Sequence, residues 1–153
     1  MYTKAVIHQI EIAVQSLINI IDQLKEEELD LRPSPDKRSL RELLSHISVL
    51  CKADYFIMNE ASKEDMMLFY KENNPQTLAE IRFQLNDSFQ FLEEKIAHYD
   101  PHDLMETTTS YWGVQYTRCE WLVQIVAHFY HHRGQLQILI DEHMGNVKVP
   151  LFE

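Results

Sequence analysis

The chain has 153 residues, 45% of them hydrophobic, with only 3 glycines and 5 prolines; this suits one helix-rich domain over residues 1–153 with a single core. Its 14 basic and 24 acidic residues leave a formal charge of -10, which repels nucleic-acid backbones and anionic membranes and excludes both as expected partners. Lys4 and Glu11 interrupt the N-terminal apolar pattern and no small-residue cleavage site follows, so neither a secretory leader nor a membrane span is read there; with Cys51 and Cys119 too few for a disulfide framework, a reduced cytoplasmic location is expected.

The first helical pattern covers about residues 3–28, with Val6, Ile10, Ala13, Val14, Leu17, Ile20, Ile21 and Leu24 on one stripe and His8 opposite. Pro33 and Pro35 end this region, because each disfavours helix at itself and in the residue before it. Ser39 with Glu42 has capping-box spacing and opens a second helix over about 39–60, which buries Leu40, Leu43, Leu44, Ile47, Leu50, Cys51 and Met58. His46 lies at the edge of that stripe. Asp54 falls near its middle, unusual for a carboxylate, and is expected either to accept a hydrogen bond from an imidazole of another helix or to pair with an arginine or core water. Residues 62–74 are mixed, with a short helical turn at 63–69.

Thr77 with Glu80 opens a third helix over about 77–98, burying Leu78, Ile81, Leu85, Phe89, Leu92 and Ile96. Asp100-Pro101 closes it and leaves His98 and His102 in loops. Residues 107–116 are rich in β-formers, and Trp112-Gly113 predicts the tight turn of a short hairpin. Thr117 with Glu120 opens the fourth helix, about 118–144, with Gly145 as its expected C-cap and Cys119 in its first turn; both cysteines are read as small buried thiols, with a thiolate favoured by the helix dipole as the alternative for Cys119. Four long helices without a substantial sheet predict an all-α four-helix bundle.

The fourth helix carries the densest chemistry, in Ala127-His128-Phe129-Tyr130-His131-His132-Arg133-Gly134-Gln135. His128 and His132 lie roughly 40° apart around the helix; His132 falls inside the apolar stripe, His128 on its edge, and His131 faces water. A single histidine on such a face is usually a hydrogen-bonded core residue, but two at this spacing can address one metal ion. A third donor must then come from elsewhere in the fold. Gln135 returns to the same face. Arg133 is expected in an ion pair at the bundle edge, with anion binding as the alternative, and Gly134 in close approach to another element. Tyr130, Trp112 and Trp121 are read as packing residues.

The order of helices, the Ser39-Leu40-Arg41-Glu42-Leu43-Leu44-Ser45-His46 segment and the His128-x-x-x-His132-Arg133-Gly134-Gln135 segment together resemble the DinB-like (YfiT-like) metal-binding four-helix bundle family. The resemblance spans nearly the whole chain. It implies an up-down-down-up bundle, a homodimer, and a divalent metal held by His46, His128 and His132. Three imidazoles without a matching cysteine or carboxylate suit zinc, nickel or ferrous iron and leave a coordination position open. The favoured function is a metal-dependent, thiol-dependent S-transferase acting on a low-molecular-weight thiol and an electrophilic small molecule, with Arg133 and Arg118 as candidates for holding an anionic thiol. The alternatives are a metal-dependent hydrolase and a non-catalytic metal-binding stress-response protein. A pocket above the histidines, lined by residues 107–116 and basic groups, favours an enzyme; a sealed site favours the binding protein.

Overall fold

The computed structural model describes residues 2–145 and 147–149. α1 (Tyr2–Ile21) buries Ile10, Ala13, Val14, Leu17, Ile20 and Ile21, as the stripe requires. It ends earlier than residue 28: Gln23 and Leu24 donate to the carbonyls only three residues back, and a 3-10 turn restarts over Glu26–Asp30. The three glutamates at the head of that turn favour its N-terminal dipole. Leu24 and Leu29 still reach the core.

The stretch expected as one helix over 39–60 is two, α2 (Leu40–Ser48) and α3 (Leu50–Met58). Ser39 and Glu42 exchange the two hydrogen bonds of a capping box at the start. The break falls at Val49, whose N–H reaches the His46 carbonyl, three residues back, at 3.4 Å. Beside it the Ser48 hydroxyl donates to the Ser45 carbonyl, and the Lys52 N–H is taken by the Ser88 hydroxyl of the third bundle helix. Side chains inserted into the backbone ladder are a recognised cause of such bends.

Ser62 and Asp65 form another capping box and open α4 (Lys63–Glu72), longer than the expected turn. α5 (Leu78–Ile96) follows the Thr77–Glu80 box and buries Ile81, Leu85, Phe89, Leu92 and Ile96. Asp100 caps α6 (Pro101–Met105), so His102 stands in a short helix instead of a loop; it and His98 are exposed. β1 (Thr107–Thr109) pairs antiparallel with β2 (Gln115–Thr117), Thr107 opposite Thr117. Gly113, in the connecting turn, adopts a φ of +91°, which glycine takes without strain. α7 (Arg118–His143) starts from the Thr117–Glu120 box and is capped at Met144, so Gly145 lies one residue past the cap.

Contacts at the helix ends settle the order. Asp22, just past α1, meets Arg82 near the start of α5, whereas Gln23 meets Lys148 beyond α7. Arg41 near the start of α2 reaches the carbonyl of Gln76 just before α5. His46 and Asp54 meet α7 in reverse order, at His132 and His128. The bundle is therefore up-down-down-up, with α1 and α2–α3 on opposite sides and α5 and α7 each packed against both. Among the described residues no helix is long and apolar enough to cross a membrane.

Candidate metal centre

α2 delivers His46 from the turn just before its break, and α7 delivers His128 and His132 from successive turns. The Nε2 atoms of His46 and His132 are 3.1 Å apart and those of His132 and His128 3.0 Å, and one nitrogen from each of the three rings lies within 4.8 Å of the other two. His132 is buried and the other two are half-buried. His131 is exposed, as its helical phase requires; it meets the Gln135 amide and the edge of the His132 ring, with centroids 5.0 Å apart. A second group among the described residues, Asp100, His102 and Asp103, is largely exposed, and its carboxylates are occupied in capping α6.

Two rings are held from behind. Asp54 Oδ2 accepts from His128 Nδ1 at 2.8 Å, and Gln135 Oε1 accepts from His132 Nδ1 at 2.9 Å. An ionised carboxylate and an amide oxygen only accept, which assigns the ring protons to Nδ1 and leaves Nε2 lone pairs facing one another. Lone pairs about 3 Å apart repel, and a cation among them removes the repulsion. Imidazoles about 2.0–2.1 Å from one zinc ion have roughly this nitrogen spacing.

Burial, the Arg38 charge and the neighbouring imidazoles push His46 down to about 3. Burial likewise takes His132 down to about 4, although Gln135 opposes it. For His128 burial also acts downward, but the hydrogen bond and charge of Asp54 prevail and raise it. Two rings thus keep their lone pairs through mild acid, and His128 takes a proton first.

Space flanks the rings on both sides. A cavity of about 340 Å³ beside His128 is bounded by α3, α4, the hairpin and α7, with Asp54, Tyr70, Trp112 and Trp121 in its walls. A niche of about 360 Å³ beside His46 contains Arg38, Glu42, Asn73 and Asn74. Tyr70 lines both, its ring centroid 6.0 Å from that of His46, and burial with the Asp54 charge pushes its phenol up to about 12.

Tyr70 and Arg38 were not legible as site residues. The Ser62–Asp65 box is the signal that would have extended α4 to Tyr70; nothing in the proline-flanked approach to Ser39 marks Arg38. Trp112 and Trp121, expected to be packing residues, line the cavity, whereas Tyr130 packs beside the Arg133 guanidinium, 6.0 Å from its ring centre. Among the described residues Arg133 meets no carboxylate, so the expected ion pair is not formed there: it is buried and donates to the Ser16 hydroxyl of α1 at 2.8 Å. Arg118 is engaged by Glu106 and the Asp103 carbonyl, so Arg38 is the arginine beside the imidazoles. Among the described residues no atom of another element lies within 4 Å of where a Cβ on Gly134 would sit, so close approach by them does not account for that glycine. Cys51 is buried, and burial pushes its thiol up; both cysteines are free.

The fold and the cluster define an all-helical bundle with three imidazoles able to hold a metal ion. Residues 9–136 match the DinB superfamily, and the chain belongs to it. It is similar to the crystal structure of a protein assigned to the DinB family from Exiguobacterium sibiricum, at 29% identity and a TM-score of 0.85, over 99% of this chain and 97% of that one. DinB-like proteins from Bacillus cereus (18% identity, TM-score 0.77, 100% of both chains) and Bacillus subtilis (13%, 0.74, 97% of this chain and 98% of that one) share the fold. No curated protein matches the chain.

Proposed function

We propose that His46, His128 and His132 hold one divalent transition metal ion, zinc, nickel or ferrous iron, and that the centre transfers a low-molecular-weight thiol to an electrophilic small molecule. The observation that carries this reading is the convergence of three imidazole nitrogens beside open space on two sides. A metal-storage role is better served by a sealed site. A divalent ion held there lowers the pKa of a bound thiol or water and so supplies a nucleophile near neutral pH.

The surrounding residues fit the rest of the chemistry. Asp54 and Gln135 fix the tautomer and aim of two ligand rings. Arg38 places positive charge in the niche beside His46, where an anionic thiol would otherwise meet an acidic surface. The S–H bond breaks and an S–C bond forms; the proton passes to solvent, and the electron pair displaced in the electrophile stays on its own oxygen or leaving group. Tyr70, with its phenol near 12, keeps its proton at neutral pH and can hydrogen-bond to that group.

The test is a screen of reconstituted protein against cellular thiols and electrophiles. A rate that needs both metal and His46 is expected. Hydrolysis of an ester or amide with no thiol-dependent rate would transfer the site to the hydrolases, and neither activity would leave a metal-binding protein.

A further inference from the structure

The cavity beside His128 has walls unlike the niche beside His46. Tyr70, Tyr111, Trp112, Tyr116 and Trp121 line it, and among the described residues its single acidic side chain is Asp54 and no lysine or arginine lines it. The rings meet at steep angles: Tyr111 and Trp112 at 85° with centroids 4.6 Å apart, Trp112 and Trp121 at 90° and 6.4 Å, Tyr116 and Trp121 at 72° and 4.9 Å. Such a cluster offers both faces and edges to a planar guest, the arrangement in which aromatic pairs are most favourable. The Asp54 carboxylate, which among the described residues is hydrogen-bonded to a histidine and not to a lysine or arginine, repels an incoming anion.

The walls are braced before any guest arrives. The Thr109 N–H donates to the Glu60 carboxylate just beyond α3 at 2.8 Å, and within the hairpin Ser110 and Val114 exchange backbone and hydroxyl hydrogen bonds at 2.9 and 3.0 Å. Little ordering is therefore left for a ligand to impose. At about 340 Å³ the space lies toward the lower end for small-molecule sites, enough for one ring with short substituents. Trp112 and Tyr111 remain 51% and 45% exposed at the rim, so the cavity is open to solvent.

We propose that this cavity binds a small molecule through a planar aromatic ring that carries no negative charge, which places the electrophile of the reaction on the hairpin side of the imidazoles. The assignment of the guest as electrophile rests on the transfer reading above; the binding itself does not. Metal-free protein titrated with benzyl alcohol, benzylammonium, cyclohexylmethanol and benzoate, followed by tryptophan fluorescence, should show saturable binding of the first two. The saturated alcohol and the anion should bind about tenfold more weakly. Trp112→Ala, at a half-exposed position, should weaken benzyl alcohol about tenfold, and Trp112→Phe should restore most of it. Benzoate or cyclohexylmethanol binding as tightly as benzyl alcohol, an unaffected Trp112→Ala, or no saturable binding of either aromatic probe would overturn the proposal. Equilibrium dialysis with zinc on the same preparation separates the two readings: aromatic binding without zinc uptake supports the cavity and removes the metal centre, and zinc uptake without aromatic binding does the reverse.

Discussion

α7 faces α1 on one side and α2–α3 on the other, and the two sides are built differently. Its neighbours His132 and Arg133 are almost equally buried, at 6% and 5% exposure, yet Arg133 donates to a serine of an unbroken helix while His132 joins two other imidazoles. α1 runs twenty residues without interruption. Across the other side the helix breaks at Val49, between His46 and Asp54, and both residues reach α7. In an unbroken helix positions eight apart lie about 80° apart around the axis, so the break helps one face of α7 engage both. Regular packing serves the fold, and the irregular element lies where polar groups converge, as expected where local regularity gives way to function.

The contrast is broken most sharply at a proposed ligand. His132→Ala should weaken zinc binding by more than about a hundredfold, beyond the loss typical of groups that only orient ligands, while His131→Ala leaves it nearly intact. Equilibrium dialysis of the two variants decides this; equal losses would mean that the helix phase is wrong. On the α1 side the reverse pattern is expected: Leu17→Ala, at a position with no exposure, should cost about 2–5 kcal/mol of stability in urea unfolding and leave zinc affinity unchanged in the folded protein.

Asp54→Asn sharpens the comparison at intermediate size. It should weaken zinc binding about 10–100-fold, and a histidine titration by NMR should find His128 lower than in the parent, because the hydrogen bond and charge that raise it are reduced. In the parent, His46 and His132 stay neutral down to about 3 and 4, so acidification below the pKa of His128 should cost about tenfold in zinc affinity per pH unit, one proton taken by His128. A flat profile would remove His128 from the ligand set.

Stability of the metal-free protein has its own sign. The unfolded chain takes up protons at positions 46 and 132 near 6.5 that the folded chain refuses until about 3 and 4; their contribution is full above 6.5 and falls as the pH drops toward those values. His128, raised when folded, contributes oppositely: its share is full below 6.5 and is lost as pH rises through its folded value. Thermal unfolding between pH 7 and 5 should show net destabilisation in acid, larger in Asp54→Asn.

The smallest effect concerns Gly134, with open space among the described residues where a Cβ would go. Gly134→Ala should stabilise the protein by up to about 1 kcal/mol, the difference in helix propensity. A loss of stability would show that the glycine answers to something other than packing in this chain.

The bundle helices, three of their capping boxes, the hairpin, and the separate fates of His131 and His132 were legible in the sequence, because each depends on neighbours within a few residues, where the helical period and turn chemistry act. The i, i+4 spacing likewise placed His128 and His132 together. Bringing His46 to them is a long-range event set by how α2 packs against α7; among the described residues the resemblance anticipated it and no local pattern did. The break at Val49 depends partly on Ser88, thirty-nine residues away, and the aromatic cavity depends on a hairpin folding back over α3 and α7. Arg133 makes the same point: its place on the helix was readable, but whether a carboxylate or Ser16 would meet it was decided only by the helix packed opposite.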